Sequence, residues 1–565
     1  MKLEELTLMA LLGDKKNIYL LDDRYSGETI PAGSVNGTLA TPGGTGSAAQ
    51  NTRTPLDTNS KISVGSGVLD FATGAAVNDA LWYGLFTRAA GRLMVAKMIL
   101  ADVTSTPQLG WDSAQSGAIL DMLKFTTTTG IQIVANGAAV LLVGAYTATT
   151  YYVAIVMRST GIYWFIKGGL FTNWTLLWYS AVGSADAYPA IQAGSAIDIF
   201  TADDIRVPLS LWLPTPLAYD TFTRANGAIG SSEAVGPDSQ ATPVRVWTGA
   251  TWTIATNKAV NTPATLGAED VANGNMETGD PPSNWTAGGT AVLDGVADER
   301  TGGSGIQSIS IKAGAGNYPY AYQALDNPAG TWVYITAWGK RILNASAVIN
   351  TWNSAITGTQ FVRKLISSGA WASGSLTSRC LDDGSNILLR NDTNVLNDEA
   401  NYDDISVKPL TLSELISSVQ VSNPNIIASV DITNTSVGYQ GGLCVRLDST
   451  SAPANFIIAY LNCTNGTSIT NLRLDKCVAG VYTNLISATI TYSAAASLRI
   501  VADGSKVTVY YNNLIVGTTQ TVSDAGILNN TLMGKFSTDV SYQFDNFTLM
   551  PVGGGAYDVL DKYIR

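Results

Sequence analysis

Acidic side chains are the groups in this 565-residue sequence whose type suits catalysis, because the chain contains no histidine. Without histidine there is no Ser-His-Asp or Cys-His nucleophile, no imidazole zinc ligand and no histidine general base. Two adjacent acidic pairs, 382–383 and 403–404, stand in a turn and at a strand entrance. Neighbouring acids do not place two carboxyls across a cleft at either separation that glycoside hydrolysis uses. The sequence therefore predicts a non-enzymatic protein with no catalytic residue.

Charge and hydropathy exclude two further classes of function. The formal net charge is -11 and Lys and Arg are not clustered, so binding of nucleic acid through phosphates is not expected. No apolar run approaches the roughly 18–20 residues that span a bilayer, so no membrane insertion is predicted. The first residues, MKLEELTLMALLGDKKN, carry Glu4 and Glu5 and make a poor signal peptide. We therefore expect the chain to stay in the cytosol where it is made, or to leave by another route.

The cysteines are expected to be structural. No two of them have CxxC spacing, and each lies in an apolar or strand-like context, which predicts free thiols in a core. The alternative is one disulfide between Cys463 and Cys477. The four are Cys380, Cys444, Cys463 and Cys477.

Short runs rich in Val, Ile, Thr, Tyr and Trp, separated by Gly, Asn, Asp and Ser, predict an all-β protein of sandwiches or jelly rolls. One short phrase occurs three times. In each copy apolar and polar residues alternate, as in a strand, and a proline that cannot donate a ladder hydrogen bond follows, which predicts the last strand of a domain. Its leading acid should lie on the core side of the strand's mouth, where a carboxylate needs a backbone N–H, a cation or a metal. The copies are FTADDIRVP at 200–208, ANYDDISVKP at 400–409 and SYQFDNFTLMP at 541–551, led by Asp203, Asp403 and Asp545.

Two phrases that open domains, LLDDRYSGETIPAGSVNGT at 20–38 and AYDTFTRANGAIGSS at 218–232, also match each other. Asp23 and Tyr25 in the first correspond to Asp220 and Phe222 in the second. Three closing strands but only two such openings mean that one closing strand, the one at 400–409, belongs to a domain that begins differently. That domain begins at ANGNMETGDPPSNWTAGG, 272–289.

That third region resembles the carbohydrate-binding modules with a galactose-binding-like jelly roll. The NGNME opening, Trp285, SGIQSISIKAG, YQAL, AGTWVYITAWGKR and the closing YDDISV fall in that family's order over about 266–410. The flanking text, YDTFTRANGAIGSS, IASVDITN, LRIVADGSKVTVYYNN and FDNFTL, resembles the two ends of one concanavalin A-like (laminin-G-like) sandwich. The resemblance implies an all-β chain of two concanavalin A-like β-sandwiches, the second interrupted by a jelly-roll carbohydrate-binding-like module.

These patterns predict five segments. The N-terminal arm offers a small apolar stripe and is expected to anchor the chain to another chain. The tail is expected to contain a docked segment, AYDVLDKYI, that neighbours in an assembly hold in place. The boundaries are an anchoring arm at 1–19, a first sandwich at 20–213, a discontinuous second sandwich at 217–265 and 411–551, the inserted module at 266–410, and a C-terminal tail at 552–565.

The same resemblance implies a structural calcium ion. In such modules an acid in the opening motif and one in the closing motif commonly hold the ion; here these are Glu277 and Asp403. Carboxylate oxygens suit a hard cation. The alternative is that Glu277 is solvated and Asp403 caps backbone amides.

Aromatic residues of the inserted module are the candidates for glycan binding. In TWVYITAW one face of the strand is apolar, and the other presents Trp332, Tyr334 and Trp338, with Trp338 as first choice. Trp285 and Tyr320, beside Tyr318 and Tyr322, are further candidates. Such rings stack on the apolar faces of sugars. The alternative is that they are buried against the host sandwich or a neighbouring subunit.

The composition, rich in Thr, Asn, Gly and Ser, and the domain types resemble those of bacteriophage structural proteins, which is an analogy at the level of families. They imply a non-enzymatic protein of a virion surface (tail fibre, head fibre or decoration protein) that binds glycans or attaches to the host, assembled in the host cytoplasm. The expected partners are other virion proteins, copies of the chain itself and a host surface glycan. The alternatives are a cell-surface or secreted carbohydrate-binding adhesin and a non-catalytic part of a glycan-active enzyme.

Overall fold

In the computed structural model nearly all regular structure is antiparallel strand, which confirms the predicted all-β class. No helix among the described residues is long and apolar enough to cross a membrane. The predicted anchoring arm, 1–19, lies outside these residues except for Tyr19. The structure describes 19–25, 28–41, 43–72, 75–76, 78–87, 91–115, 120–126, 130–158, 161–180, 186–195, 200–208, 214–236, 241–298, 300, 302–303, 305–314, 316–356, 360–553 and 557–563.

The chain forms two compact units, and the first contains the described residues up to 215 and those from 551 onward. Its described strands form one sheet in the order β13-β12-β11-β6-β15-β4-β3, with β1 beside β15, and another in the order β10-β9-β8-β7-β14-β5-β2. The strands are β1 Tyr19–Asp23, β2 Thr54–Leu56, β3 Ile62–Gly65, β4 Val68–Phe71, β5 Ala80–Trp82, β6 Arg92–Leu100, β7 Gln108–Asp112, β8 Asp121–Thr126, β9 Gly130–Ala135, β10 Ala138–Val143, β11 Thr150–Arg158, β12 Gly161–Gly168, β13 Phe171–Ser180, β14 Tyr188–Gln192 and β15 Phe200–Pro208, with 3-10 helices at Ala49–Asn51 and Asp558–Tyr563.

Side chains of the two sheets meet in a shared core. The rings of Phe125 and Tyr151 lie 5.1 Å apart, and Trp111 Nε1 donates to the Ile155 carbonyl over 3.1 Å. The end of the chain packs on the same unit, because the Tyr557 ring lies 4.9 Å from that of Phe165 and Asp561 accepts a bond from Trp174 Nε1. The segment AYDVLDKYI is thus docked from Tyr557 onward.

The second unit contains 216–236 and 241–550. Strands from both sides of the 266–410 region pair in one of its sheets, in the order β17-β18-β19-β40-β31-β36-β37-β38 with β16 beside β40; the facing sheet runs β30-β39-β32-β33-β34-β35. We call these two sheets the host sandwich. Its strands are β16 Ala218–Asp220, β17 Gly227–Ala228, β18 Trp252–Ala255, β19 Lys258–Asn261, β30 Ile416–Gln420, β31 Ile426–Asn434, β32 Gly441–Leu447, β33 Phe456–Asn462, β34 Asn471–Val478, β35 Val481–Thr489, β36 Ala496–Asp503, β37 Lys506–Tyr511, β38 Leu514–Thr521, β39 Leu532–Ser537 and β40 Tyr542–Pro551, with helical turns at Leu412–Leu415 and Ala525–Leu528.

Between β19 and β30 the chain forms two five-stranded sheets, which we call the insert. One runs β20-β23-β28-β25-β26 and the other β21-β22-β29-β24-β27. The insert's ends are adjacent, because Leu266 bridges Leu410 and Gly267 N donates to the Pro409 carbonyl over 2.8 Å. The strands are β20 Thr286–Gly288, β21 Ala291–Val296, β22 Ser308–Ala313, β23 Tyr320–Ala324, β24 Trp332–Leu343, β25 Ala347–Trp352, β26 Arg363–Ile366, β27 Ala372–Arg379, β28 Asn386–Asn391 and β29 Glu399–Pro409.

A buried ion pair joins the insert to the host sandwich. Arg379 on β27 donates to Asp475 on β34 over 2.7 Å, and both side chains are at most 4% exposed. Tyr460 and Asn484 donate to the same carboxylate over 2.6 and 2.7 Å, and the Arg379 guanidinium lies 4.1 Å from the Tyr482 ring. Burial alone would raise the pKa of Asp475, but Arg379 and Arg473 outweigh it and lower that pKa. The carboxylate is therefore ionised and fully engaged.

The thrice-repeated closing phrase has one backbone explanation. In each copy the residue after the leading acid has a positive φ, between 45° and 54°, which Asp and Asn tolerate better than most residues. The leading carboxylate accepts that residue's N–H over 2.7–2.9 Å. The phrase therefore encodes a self-capped kink within a closing strand. The pairs are Asp203–Asp204, Asp403–Asp404 and Asp545–Asn546. The prediction that the leading acid lies at the strand's entrance is wrong, because each strand begins three or four residues earlier.

The opening phrases share a second device. Asp23 and Asp220 are buried, and each accepts the N–H of the aromatic residue two positions later. These residues, Tyr25 and Phe222, have φ of 54° and 55°, a strained value for a bulky side chain. The correspondence that the sequence predicts between the two openings is thus a correspondence in backbone geometry.

All four cysteines are free and buried, so the Cys463–Cys477 bridge is not formed.

One lysine lies in the core of the host sandwich. Lys535 on β39 is fully buried, and its Nζ lies 3.1 Å from the Trp247 ring centroid with no hydrogen-bond acceptor among the described residues. Three more rings, those of Phe222, Trp252 and Phe547, lie within 4.5–5.4 Å. A desolvated cation–π contact gains about 2 kcal/mol, whereas burying an ammonium ion costs several. Burial wins and lowers the pKa of Lys535 well below its usual value.

Lys535→Met should raise the melting temperature at pH 7, and the gain should shrink as the pH approaches 10.5. Because the pKa of Lys535 is lower in the folded chain than in the unfolded one, the unfolded chain binds more protons and the stability of the wild type rises with pH until the unfolded lysine is also neutral. Melting temperatures between pH 7 and 10.5 test this, with the exposed Lys506→Met as matched control. A gain that is independent of pH would contradict the lowered pKa of the buried lysine.

Asp475→Asn should lower the free energy of unfolding by about 3 kcal/mol, because it leaves the Arg379 cation buried without its counter-charge. Breaking a partly exposed pair in the same way, with Asp524→Asn beside Lys476, should cost less than about 1 kcal/mol. Urea denaturation of both variants gives the comparison. Equal costs would show that the buried pair does not hold the insert in place.

Candidate functional site

Strand β24 carries three of the five aromatic residues that the sequence singles out. Its alternation is as predicted, since Val333, Ile335 and Ala337 are buried in the insert's core. Trp332 is only 1% exposed and is surrounded by the rings of Phe361, Tyr460 and Phe536, at 4.9–5.8 Å. Burial against the host sandwich, the alternative from the sequence, describes this residue. Tyr334 is partly buried and packs against the core of the insert and the core of the host sandwich.

Trp338 and Trp285 lie elsewhere on the insert. The Arg300 guanidinium lies 4.5 Å from the Trp338 ring centroid and is also paired with Asp404, so it covers one face of a partly buried indole. Trp285 is 6% exposed, and its Nε1 donates to the Asn273 carbonyl over 3.2 Å. The structure therefore does not gather these candidates into one exposed platform, and their role in glycan binding stays a prediction.

Glu277 and Asp403 both bind backbone amides. Glu277 Oε1 accepts the N–H groups of Ile306 and Gln307 over 2.9 and 2.8 Å, and Asp403 Oδ1 accepts that of Asp404 over 2.7 Å. Burial raises the pKa of Asp403 to about 6, although Asp404 N–H counteracts it. The capping role that the sequence left open for Asp403 is therefore present, and Glu277 has the same role.

Calcium would require more oxygen ligands than these two side chains supply, since it takes six to eight. Within the described ranges no three His, Cys, Asp or Glu side chains come together as a metal-binding group. Backbone carbonyls and water would have to complete the sphere. A calcium ion held by Glu277 and Asp403 therefore stays a prediction.

The insert's other sheet carries a cleft of about 330 Å³. Strand alternation places Tyr320 of β23, Leu388 and Arg390 of β28 and Trp352 of β25 on its outer face, because Tyr320 pairs with Arg390 and their neighbours alternate inward. Tyr318 precedes β23 and is 43% exposed. Three aromatic rings therefore border one open cavity, whose floor is the buried Leu388. The lining residues are Asn317, Tyr318, Tyr320, Trp352, Ile356, Leu388 and Arg390.

Local packing fixes the cleft's rings in place. Gly288 pairs with Tyr320, and a Cβ there would lie 2.1 Å from the Tyr320 ring, so the ring can cross β20 only because this residue is glycine. With the Asn350 amide oxygen turned towards it, Trp352 Nε1 donates a bond of 2.9 Å. Such constraints lower the entropy lost when a ligand binds.

Polar groups of the cleft are a guanidinium, an amide and phenolic hydroxyls. The Arg390 guanidinium carbon lies 4.3 Å from the Tyr318 ring centroid. Among the lining residues that the structure describes there is no carboxylic acid. The arrangement can stack on an apolar face and donate hydrogen bonds, and these residues supply no acid–base pair.

A second concavity, on the host sandwich, is larger, about 450 Å³, but less suited to stacking. Its single ring is that of Tyr492, whose hydroxyl accepts the Asn434 N–H over 2.6 Å. The remaining lining is small and mostly polar: Asn434, Thr435, Ser436, Val437, Thr467, Ser468 and Ile469. The aromatic cleft of the insert is therefore the better candidate site.

Of the five aromatic candidates from the sequence, Tyr320 lines this cleft, and its neighbour Tyr318 does too. Trp352 and Arg390 were not singled out. The alternation in AVINTW places Trp352 on the face opposite Ile349 and gave a usable signal. Nothing in the sequence pairs β25 with β28, so Arg390 could not have been placed beside it.

No family model matches the chain, and no curated protein matches it. Among solved structures it is similar to the carbohydrate-binding module CBM66 from Bacillus subtilis, with 17% identity and a TM-score of 0.20 over 24% of this chain and 81% of that one. It is similar to the CBM22-1 xylan-binding domain from Paenibacillus barcinonensis, with 14% identity and a TM-score of 0.22 over 26% of this chain and 97% of that one. The enzymatically active domain of bacteriophage CBA120 tailspike protein 4 shows 15% identity and a TM-score of 0.21 over 25% of this chain and 21% of that one.

If Glu277 and Asp403 hold calcium, EDTA should lower the melting temperature and added Ca²⁺ should restore it, because a ligand of the folded state stabilises by mass action. Bound calcium would also lower the raised pKa of Asp403, by favouring its charged form. Differential scanning calorimetry with Glu277→Gln and Asp403→Asn as comparison variants measures this. The absence of any shift in the wild type would leave both residues as backbone caps only.

Proposed function

We propose that this chain binds saccharides in the aromatic cleft of the insert without transforming them. The observation that carries the proposal is the set of three rings, Tyr318, Tyr320 and Trp352, around one open cavity with polar groups at its edge. A sugar ring has apolar C–H faces that stack on aromatic rings and hydroxyls that need donors and acceptors. The cleft offers both kinds of contact.

Size and rigidity support the same function. A volume of about 330 Å³ lies within the usual range of small-molecule sites. Leu388 at the floor is 1% exposed, so a ligand would rest on packed core rather than on a loop. The rings are held by Gly288 and Asn350, which suits recognition of a fixed shape.

The biological setting remains a further proposal. The resemblance in sequence to bacteriophage structural proteins supports placing this binding function on a virion surface, with other virion proteins, copies of the chain and a host surface glycan as partners. An adhesin and a non-catalytic part of a glycan-active enzyme are the alternatives. Mass spectrometry of purified particles for this polypeptide discriminates among them, since only the virion protein would be present in stoichiometric amount.

Trp352→Ala should weaken saccharide binding at least about fivefold, because an aromatic contact contributes about 1 kcal/mol beyond its buried area. A glycan array followed by calorimetry with the strongest binder measures the change. Trp371→Ala is the matched control, since it removes a partly buried indole from the other sheet's edge. Trp338→Ala tests the sequence-based site in the same assay. Unchanged binding by the Trp352 variant with a loss in the Trp338 variant would move the site to strand β24.

A further inference from the structure

Arg390 lies in the cleft without an acidic partner among the described residues. Its Nε is buried and has no hydrogen-bond acceptor. Its guanidinium carbon lies 4.3 Å from the Tyr318 ring centroid, a contact that uses no N–H donor when the planar group stacks on the ring. An unsatisfied buried donor is costly, so an acceptor bound in the cleft beside Arg390 would be stabilising.

A second arginine increases the local positive charge. Arg363 of β26 pairs with Asn350, and Asn350 pairs with Leu388, so alternation places Arg363 on the same face as Arg390. Its Nε is also buried without an acceptor among the described residues. Burial first, and then the charge of Arg363, lower the pKa of Arg390. The two cations therefore repel each other when no ligand is bound.

One nearby acid, Asp392, does not neutralise this pair. Its charge favours the charged form of Arg390, but burial and the charge of Arg363 outweigh it and lower the pKa of Arg390. Its carboxylate accepts the Ser346 N–H over 2.6 Å. Among the described residues, the buried Nε of each of these two arginines has no acceptor, although the chain as a whole has a net charge of -11.

Building on the proposed function, we infer that the saccharide bound in this cleft is anionic, a sugar bearing a carboxylate or sulfate group, and that Arg390 binds that group. The planar guanidinium presents parallel N–H donors that match two oxygens of either group. The sugar ring would then stack on Tyr320 or Trp352, whose positions flank the arginine. Arg363 would add attraction at longer range.

The proposal predicts that charge on the sugar decides affinity. A trimer of galacturonic acid should bind the full chain at least about tenfold more tightly than its methyl ester, since hydrogen bonds to charged groups are about twice as strong as neutral ones. Affinity for the acid should fall as NaCl is raised, because screening weakens the ion pair. A sulfated disaccharide and its unsulfated form, in parallel, distinguish the two kinds of anion.

Arg390→Gln should remove the preference for the acid over the ester. Arg390→Lys should retain part of that preference, because lysine keeps the positive charge but lacks the paired N–H donors of a guanidinium. Arg341→Gln is the matched control, because it removes the same charge from an exposed position on the insert's other sheet. Circular dichroism and melting temperature establish that each variant is folded. If Arg390→Gln does not fold, the acid–ester comparison on the wild type still decides.

The outcomes separate the two proposals. Equal binding of acid and ester, or of sulfated and unsulfated sugar, with Trp352→Ala still weakening both, overturns the anionic ligand and leaves saccharide binding intact. A charge preference that Arg390→Gln does not alter, in a folded variant, overturns the role of Arg390. No binding of any saccharide on the array overturns the proposed function and this inference together.

Discussion

The Arg379–Asp475 pair is the interaction on which the second unit's architecture depends. A buried ion pair gains little over an apolar pair of the same shape, but removing one partner is costly. Its effect is thus to specify one arrangement of insert and host sandwich. The rings of Trp332, Tyr460 and Phe536 pack around it and supply apolar burial. The interface involves β24 and β27 of one sheet of the insert and also β26, at the edge of the other sheet, where Arg363 N donates to the Cys463 carbonyl. Strands β23, β25 and β28 of that second sheet border the cleft.

A second constraint acts within the backbone and explains why the chain repeats itself. Each closing strand has a residue with positive φ near its middle, and an Asp before it accepts the N–H of that residue. Each opening strand needs an aromatic residue with positive φ, and a buried Asp two positions earlier satisfies it. The backbone part of each solution is a hydrogen bond between residues one or two positions apart, although Asp23 and Asp220 are also held by distant side chains, Arg53 and Trp247. Such solutions can therefore recur wherever a β-domain opens or closes, which is why the sequence shows them.

What could be predicted from the sequence follows this division between local and distant causes. The all-β class, the inward face of Val333, Ile335 and Ala337 and the free cysteines all depend on alternation and composition, and the structure agrees with each. The burial of Trp332 depends on which face of the insert meets the host sandwich, and a single sequence does not specify that. The proximity of Trp352 and Arg390 requires knowing that β25 and β28 are neighbours, a pairing between segments over thirty residues apart. Pairing of distant segments leaves no periodic signal in either one.

The adjacency of the insert's two ends has a mechanical consequence. Leu266 and Leu410 are bridged, so the insert is tied to the host sandwich by two covalent connections side by side rather than by one flexible linker. A pulling force on a ligand held in the cleft would be divided between both connections and the interface around Arg379. The arrangement is thus suited to holding a tethered ligand under load, at the cost of the freedom to reorient that a linker would give.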